Sequence, residues 1–303
     1  MEKNQTSKII KDISKCKKNS IYNLVFILIF VICFLALIGC SKPKNTVTAK
    51  RIISLVPSVT EIIYALGRDS LLVGNTIYCD FPEAAKNIYK VGDFSNPSLE
   101  KILKRKPTLV FATLPEQKNI VEQLKKYKIQ VFCSRPNSVN NLFQEMIEIS
   151  KLVDAEEQGN ILVSALKERL IAIANKNNVV DSPKVYIEIA GTPIMTVGNL
   201  SYINDLVRYA GAINVFADVS KEYFVTNSEE LIKRNPDIIL ILHPSATKSQ
   251  VRKRIGWSEI TAIKKNRVYT ELNPDYFFRP GPRFILAVEE LAKIVYSITK
   301  KRK

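Results

Sequence analysis

Residues 99–110 read LEKILKRKPTLV, and residues 229–240 read EELIKRNPDIIL. In each stretch a short helix-like pattern passes through a proline into an apolar, strand-like run. Repetition of one helix–strand unit along a chain is typical of proteins that are built from similar parts. The two stretches therefore predict two lobes with the same architecture.

The chain on both sides of the first stretch alternates between β-branched runs and helical patterns. Strands are predicted at residues 51–56, 71–74, 108–112 and 129–133, and helices at residues 58–66, 98–104 and 119–127. Ser58 and Glu61 have the spacing of a capping box at the start of the first helix. Strands and helices in alternation indicate a parallel sheet that is covered by helices.

Residues 140–177 contain no proline and carry apolar residues at helical spacing. The part from residue 155 to residue 175 would extend for about 31 Å, which is long enough to connect two lobes. A surface helix of one larger domain is the alternative. Beyond this tract strands and helices alternate again, which predicts an α/β fold of two similar lobes with parallel-type sheets, bridged by one long helix. The predicted segments are 51–150 (first lobe), 151–180 (bridging helix) and 181–303 (second lobe).

An apolar run at residues 24–39 follows six lysines and ends at Cys40, where the chain turns polar. This is the pattern of a secretory signal peptide, and the run is shorter than the ~20 apolar residues of a membrane-spanning helix. The junction resembles the lipobox of bacterial lipoproteins. The resemblance implies a signal peptide at 1–39, lipidation of Cys40, a tether at 40–50 and an extracytoplasmic, membrane-anchored protein. An uncleaved membrane anchor is the alternative.

The composition argues against several kinds of chemistry. The net charge of +16 comes from lysines scattered along the chain, so we expect no nucleic-acid partner. His243 is the only histidine, which excludes metal sites built on several histidines, and no nucleotide-binding or hydrolase motif occurs. We therefore expect no metal and no enzymatic activity. Cys79 and Cys133 each follow a predicted strand of the first lobe, which leaves a disulfide and two free thiols as alternatives.

Five co-linear stretches resemble one family: RIISLVPSVTE (51–61), YCDFP (78–82), VGDFSNPSLE (91–100), KPTLV (106–110) and YFFRPGPR (276–283). Together they resemble the cobalamin-binding proteins of ABC importers. Those proteins belong to a wider class in which one long helix joins two α/β lobes, and which also takes ferric siderophores and haem. The resemblance implies a protein that captures a cobalamin or another corrinoid between its lobes. Its partners would be an ABC permease and the ATPase of that permease, and it would need no cofactor of its own.

By the same resemblance, aromatic side chains from both lobes would form the walls of the ligand site. A large planar ligand favours such walls with few polar anchors. The residues that the resemblance assigns to ligand binding are Tyr78, Phe94, Tyr223, Tyr276, Phe277 and Arg279, the last as a polar anchor. Ordinary core packing is the alternative for each aromatic residue, and cation–π packing on a surface loop is the alternative for Arg279.

Glu100 and Glu229 occupy matching positions in the two repeated stretches. The resemblance implies that they dock on arginines of the permease, whereas a helix N-terminus that favours acidic residues is the alternative for Glu100. The chain differs from the cobalamin binders in having Phe94, Thr113 and Tyr223 where tryptophan is expected. This difference leaves a ferric siderophore or haem open as the ligand. A membrane-tethered sensor or enzyme with the same two lobes is a further alternative.

Overall fold

The computed structural model describes residues 50–176 and 182–300. The predicted signal peptide, Cys40 and nearly all of the tether lie outside the described residues. Among the residues that are described, no helix is both long and apolar enough to cross a membrane.

The first lobe is built on a four-stranded parallel sheet with strand order β2-β1-β3-β4. Its strands are β1 (Ile52–Ser54), β2 (Leu72–Asn75), β3 (Leu109–Ala112) and β4 (Gln130–Cys133). Its helices are α1 (Pro57–Ala65), α2 (Leu99–Lys104) and α3 (Lys118–Lys126). β1 and β3 form the centre of the sheet and are fully buried. This is why their residues form apolar runs instead of alternating with polar residues.

The start of helix α1 differs from the prediction. Val56 is the N-cap, Pro57 is the first helical residue, and no side chain caps the helix. Proline suits this position because its fixed φ angle matches the helix and its missing N–H group would have no intrahelical partner. Ser58 is buried within the first turn, and Glu61 binds Arg283 instead of closing a capping box. The capping-box prediction is therefore wrong.

The long helical tract is two helices, α4 (Val139–Leu152) and α5 (Glu156–Lys176). The break falls at Asp154, whose φ angle of 55° is in the left-handed region. Helix α5 has 21 residues and buries Val163, Leu166 and Leu170 on one face. It is described as far as Lys176, and residues 177–181 lie outside the described residues, so the segment limits at 150 and 180 stay predictions.

The second lobe is built on a six-stranded sheet with the path β10-β9-β5-β6-β8, and β7 pairs with β5 beside this path. Its strands are β5 (Lys184–Gly191), β6 (Ile194–Val197), β7 (Ile213–Asn214), β8 (Tyr223–Val225), β9 (Ile238–Ile241) and β10 (Val268–Tyr269). Strands β7 and β9 run parallel to β5, and β10 runs parallel to β9, whereas β6 is antiparallel to both β5 and β8. The second sheet is thus mixed, because a tight turn after β5 reverses the chain.

Six helices accompany this sheet among the described residues of the second lobe. They are α6 (Tyr202–Tyr209), α7 (Ser228–Arg234), α8 (Lys248–Arg252), α9 (Thr261–Lys264), α10 (Pro274–Phe278) and α11 (Phe284–Thr299). Helices α6, α7 and α11 continue the alternation that the sequence predicts beyond residue 181, whereas the three short helices were not predicted. Four or five residues are too few to show a helical period.

The two repeated stretches have the same local structure. Helices α2 and α7 each begin with a side-chain N-cap, Ser98 and Asn227, that accepts a hydrogen bond from the third residue of the helix. Lys106 and Asn235, which precede the two prolines, have φ angles of 47° and 46°. Each stretch then enters a central strand, β3 or β9. The predicted fold class of two similar α/β lobes is confirmed, with the second sheet mixed.

One cluster of buried apolar side chains runs through both lobes. It includes residues of α1 and α4 from the first lobe, of α5, and of α6 and α11 from the second lobe. Phe143 of α4 and Phe284 of α11 meet edge to face with ring centroids 5.8 Å apart. Separate clusters lie on the outer face of each sheet. Because a close-packed core resists shear, this shared cluster favours a small change of angle between the lobes over a wide opening.

Candidate functional site

A cavity of about 350 Å³ lies between the two lobes. On the first-lobe side it is lined by the segments that directly follow strands β1, β3 and β4. Parallel strands bring their carboxyl ends to one edge of a sheet, where ligands of open α/β sheets bind. On the second-lobe side the cavity is lined by the start of α6, the start of β8 and the segment at 277–280.

Aromatic side chains from both lobes line this cavity. Phe94 contributes from the first lobe, and Tyr223, Phe277 and Phe278 contribute from the second. Tyr223 and Phe278 are 42% and 40% exposed, so both rings are open to a ligand, whereas Phe277 is fully buried. The structure therefore brings together three of the five predicted aromatic residues and adds Phe278.

The remaining two predicted aromatic residues lie away from the cavity lining. Tyr78 is 52% exposed on the surface of the first lobe. Tyr276 packs against the shared apolar cluster, and its ring lies 5.4 Å from the guanidinium of Arg283. Thr113 does line the cavity, as does the neighbouring Leu114. This part of the wall is thus formed by small and aliphatic groups instead of an aromatic ring.

A buried glutamine holds the first-lobe wall in place. The side chain of Gln117 donates hydrogen bonds to the carbonyl oxygens of Leu55 and Phe94, at 3.1 and 2.8 Å. It also accepts a hydrogen bond of 3.0 Å from the backbone N–H of Thr113. One side chain thereby connects three segments of the cavity lining. Such satisfied buried polar groups fix loops whose backbone would otherwise lack partners.

Arg279 lines the cavity, but its guanidinium is already held by carboxylates, and its role as a ligand anchor stays a prediction. It forms ion pairs with Asp80 at 2.6 Å, Asp275 at 3.1 Å and Glu61 at 3.6 Å. The hydrogen bond from Arg279 lowers the pKa of Asp80 below its ordinary value. Burial alone would lower the pKa of Arg279, but these carboxylates outweigh it and raise that pKa. Arg279 therefore connects the two lobes whatever contact it makes with a ligand.

A second arginine, Arg283, shares the carboxylate of Glu61 with Arg279. The guanidinium of Arg283 donates two hydrogen bonds to the carboxylate of Glu61, at 2.8 and 2.5 Å. Burial raises the pKa of Glu61, and the hydrogen bonds from Arg283 oppose that rise. The guanidinium also stacks over the ring of Phe81 at 3.9 Å. We call the four residues Glu61, Asp80, Arg279 and Arg283 the buried charge cluster.

A different ion pair crosses the cavity rim. Arg135, just after β4, and Glu222, just before β8, are 2.9 Å apart, and both line the cavity. They come from different lobes and are separated by 87 residues in the sequence. The sequence predicted neither this rim ion pair nor the place of Tyr202 in the cavity lining. An isolated Arg and Glu so far apart give no local signal.

Glu100 and Glu229, the predicted docking residues, hold equivalent places in the fold. Each is the second residue of its helix, α2 or α7, and each is exposed. In the described part of the chain neither carboxylate forms an ion pair, whereas the adjacent Glu230 pairs with Arg234 at 2.7 Å. Both are thus accessible to a partner, and their docking role stays a prediction.

The disulfide considered for the first lobe is not formed, since Cys79 and Cys133 are both free. Cys79 lies after β2 and Cys133 ends β4, and these strands are the two edges of the sheet. Three strand spacings separate the edges by about 14 Å, whereas bridged cysteines need Cα atoms within about 7 Å. The buried Cys79 instead accepts a hydrogen bond from the hydroxyl of Thr60 at 3.2 Å.

Among the described residues, no group of three or more His, Cys, Asp or Glu side chains is placed to hold a metal ion. His243 lies next to Glu188, with the Nε2–Oε1 distance at 2.9 Å. Glu188 is fully buried and also accepts two hydrogen bonds from Arg254. This cluster belongs to the second sheet, and none of its three residues lines the cavity.

Comparison with known proteins agrees with this two-lobed geometry. The profile of the family described as "Periplasmic binding protein" matches residues 52–273. The chain belongs to this family. It is 36% identical over 260 residues to YvrC of Bacillus subtilis (strain 168), an "Uncharacterized ABC transporter substrate-binding lipoprotein". The alignment covers 83% of this chain and 82% of YvrC. As a member of this family, the chain is a substrate-binding protein of an ABC importer, as predicted.

Two further similarities concern proteins that are named for what they bind. The "Vitamin B12-binding protein" of Vibrio vulnificus (strain YJ016) is 29% identical over 84% of this chain and 92% of its own length. A crystal structure from Staphylococcus epidermidis ATCC 12228 is described as that of a possible iron-binding (periplasmic solute-binding) protein. It has a TM-score of 0.74 and 31% identity, over 81% of this chain and 98% of that one.

Proposed function

We propose that this substrate-binding protein captures a cobalamin-like corrinoid in the cavity between its lobes and delivers it to an ABC permease and the ATPase of that permease. The observation that carries the proposal is the set of aromatic side chains from both lobes around one cavity, Phe94 on one side and Tyr223 and Phe278 on the other. Aromatic faces bind a large, flat macrocycle well. The similarity to a protein named for vitamin B12 binding supports the same ligand class.

The dimensions of the cavity add a condition. Its volume of about 350 Å³ is near the lower end for ligand pockets. A corrinoid with its amide side chains is larger than this. The ligand would therefore extend through the rim, and the Arg135–Glu222 ion pair would have to open when it enters.

The ligand assignment is tested by calorimetric titration of the protein, in mild detergent, with cyanocobalamin, haemin and a ferric hydroxamate siderophore in parallel. We expect one-to-one binding of cyanocobalamin, weakened at least tenfold by Phe94→Ala and Tyr223→Ala. Tyr78→Ala is the matched control, because Tyr78 lies outside the cavity lining, and it should bind as the wild type does. If haemin or the siderophore binds and cyanocobalamin does not, the corrinoid assignment is wrong.

A ferric siderophore or haem is the second candidate ligand. Thr113 in the cavity wall and the similarity to a protein described as possibly binding iron favour it. We place the corrinoid first because the similarity to a protein named for vitamin B12 binding extends over 92% of the length of that protein.

Glu100 and Glu229 would dock on basic residues of the permease. Their exposure and equivalent positions in the two lobes suit a partner with two similar halves. The double variant Glu100→Lys/Glu229→Lys should abolish ligand uptake by cells and leave ligand affinity unchanged. The control variant Glu122→Lys/Glu168→Lys, at two exposed positions elsewhere, should transport normally. Normal uptake by the first variant would remove the docking role and favour a sensor.

The membrane anchor would be a lipid on Cys40, on the extracytoplasmic face of the cell membrane. The junction at residues 37–41 and the similarity to a protein named as a lipoprotein support this assignment. Cys40→Ser should abolish incorporation of labelled palmitate and leave the protein uncleaved or released. The protein would act by binding alone, without catalysis, so that the ligand should be recovered chemically unchanged after incubation with it.

A further inference from the structure

Tyr202 occupies a distinctive place in the cavity lining. It is the first residue of helix α6, after the N-cap Ser201, and its side chain is only 4% exposed. It lines the cavity together with Tyr223 from the same lobe and the start of α1 from the other lobe. Tyrosine at this depth supplies both an apolar ring and one hydroxyl group that needs a partner.

The hydroxyl of Tyr202 is buried and has no hydrogen-bond partner among the described residues. Buried polar groups are nearly always hydrogen-bonded, and an exception calls for an explanation such as a binding function. Burial, together with the nearby Tyr223 and Glu61, raises the pKa of Tyr202 well above its ordinary value. The hydroxyl therefore keeps its proton at any physiological pH and remains able to donate a hydrogen bond.

The first turn of α1 adds an independent preference for an electron-rich ligand group. Val56, Pro57 and Ser58 line the cavity, and this nine-residue helix has neither a side-chain cap nor an acidic residue in its first turn. The N–H groups at the start of a helix, and the positive end of its dipole, favour oxygen acceptors and negative charge. Other helix starts in the fold, such as those of α2 and α7, are capped by side chains.

The two arginines near this part of the cavity are already paired. Glu61 holds Arg283, and Arg279 is shared among Asp80, Asp275 and Glu61. A ligand oxygen at this position would have to displace a carboxylate in order to reach either arginine. The hydroxyl of Tyr202 needs no such exchange, and because it is closed off from the cavity here, a ligand oxygen would reach it as the lobes part to admit the ligand.

We propose that Tyr202 and the first turn of α1 form an oxygen-acceptor subsite in the cleft, which binds a carbonyl or carboxylate oxygen on a peripheral side chain of the ligand. This inference rests on the proposed function and adds to it the group that orients the ligand. An amide of a corrinoid and a propionate of haem both carry such an oxygen. A planar ligand without carbonyl-bearing side chains would lose this contact.

The test compares Tyr202→Phe with Tyr209→Phe in the titrations with cyanocobalamin and haemin, on protein made from the full chain in mild detergent. Tyr209 is on the same helix but is not part of the cavity lining. We expect Tyr202→Phe to weaken binding by about fivefold to tenfold, as the loss of one hydrogen bond does, and Tyr209→Phe to leave it unchanged. The melting temperature of ligand-free Tyr202→Phe should equal or exceed that of the wild type, because a hydroxyl without a partner is removed.

The outcomes separate the subsite from the proposed function. If the wild type binds a probe and Tyr202→Phe binds it equally well, the subsite is overturned and the proposed function stands. A lower melting temperature without ligand, together with unchanged affinity, would make Tyr202 a structural residue and also overturn the subsite. If haemin binds and cyanocobalamin does not, the corrinoid assignment fails. The affinities of Tyr202→Phe and Tyr209→Phe for haemin then still test the subsite. If neither probe binds the wild type, both fail.

Discussion

Among the ion pairs that connect the lobes, two differ clearly in their access to water. The Glu61–Arg283 pair of the buried charge cluster is 2% and 13% exposed and has two hydrogen bonds. The Arg135–Glu222 pair at the rim is 54% and 31% exposed and has one short contact. Both pairs join the same two lobes, but the buried pair has two hydrogen bonds and the exposed pair has one.

Because the two pairs differ in burial, we expect them to have different roles. Removing one partner of a buried pair leaves a charge without solvent, which destabilises proteins by about 3–5 kcal/mol. An exposed pair contributes about 0–1 kcal/mol, because water and salt replace its attraction. The buried charge cluster should therefore hold the lobes together permanently, whereas the rim ion pair should open and close at little cost. A binding protein needs a permanent connection between its lobes and a cavity entrance that can open for the ligand.

The largest effect is expected from Glu61→Gln. This change keeps the shape of the side chain but leaves the buried guanidinium of Arg283 with Asp275, at 4.0 Å, as its remaining carboxylate partner. We expect the free energy of unfolding to fall by about 3–5 kcal/mol, measured by urea denaturation. Glu222→Gln is the matched control and should lose no more than about 1 kcal/mol. If the free energy of unfolding falls equally in Glu61→Gln and Glu222→Gln, the two pairs do not differ in their contribution to stability.

An intermediate effect is expected on ligand kinetics. Arg135→Gln removes the rim ion pair, so ligand should enter and leave faster, each rate constant rising by at most about fivefold. Stopped-flow fluorescence measures both rates. Raising the salt concentration should speed binding to the wild type in the same direction and leave Arg135→Gln unaffected, because salt screens exposed pairs. Slower binding by the variant would show that Arg135 attracts the ligand instead of closing the rim.

The smallest effect is expected from Asp80, the most exposed member of the buried charge cluster. The hydrogen bond from Arg279 lowers its pKa below the ordinary 3.8. A carboxyl with a lowered pKa stabilises the fold above its ordinary pKa, and this contribution is lost as the pH falls through the lowered value. Asp80→Asn should therefore reduce the loss of stability below about pH 4, in thermal melts recorded at several pH values. If Asp80→Asn loses as much stability below about pH 4 as the wild type does, the Asp80–Arg279 pair contributes nothing beyond the hydration of the separate groups.

The sequence predicted most of the fold because its signals are local. The repeated stretches carry their own N-caps and prolines, and each leads into a buried strand that reads as an apolar run. The disulfide alternative failed for a non-local reason. Cys79 and Cys133 both follow strands, but the order of those strands in the sheet is not written in either segment.

The candidate site was predicted in part for similar reasons. The stretch YFFRPGPR marked the correct loop, but Tyr276 and Phe278 belong to the short helix α10. Successive helical residues are rotated by about 100°, so residues two apart face nearly opposite sides. Only Phe278 of these two faces the cavity. Arg135, Glu222 and Tyr202 gained their roles only through contacts between distant segments, which no local pattern reveals.

The central claim is that a corrinoid binds between the lobes, against aromatic side chains from both of them. The most direct measurement is a crystal structure of the protein with cyanocobalamin. We expect corrin density between Phe94 and Tyr223 and a side-chain oxygen within hydrogen-bonding distance of the Tyr202 hydroxyl. The Arg135–Glu222 pair should be open, and the Glu61–Arg283 pair should be intact. Density outside this cavity, or a cavity that stays closed and empty at saturating ligand, would contradict the central claim.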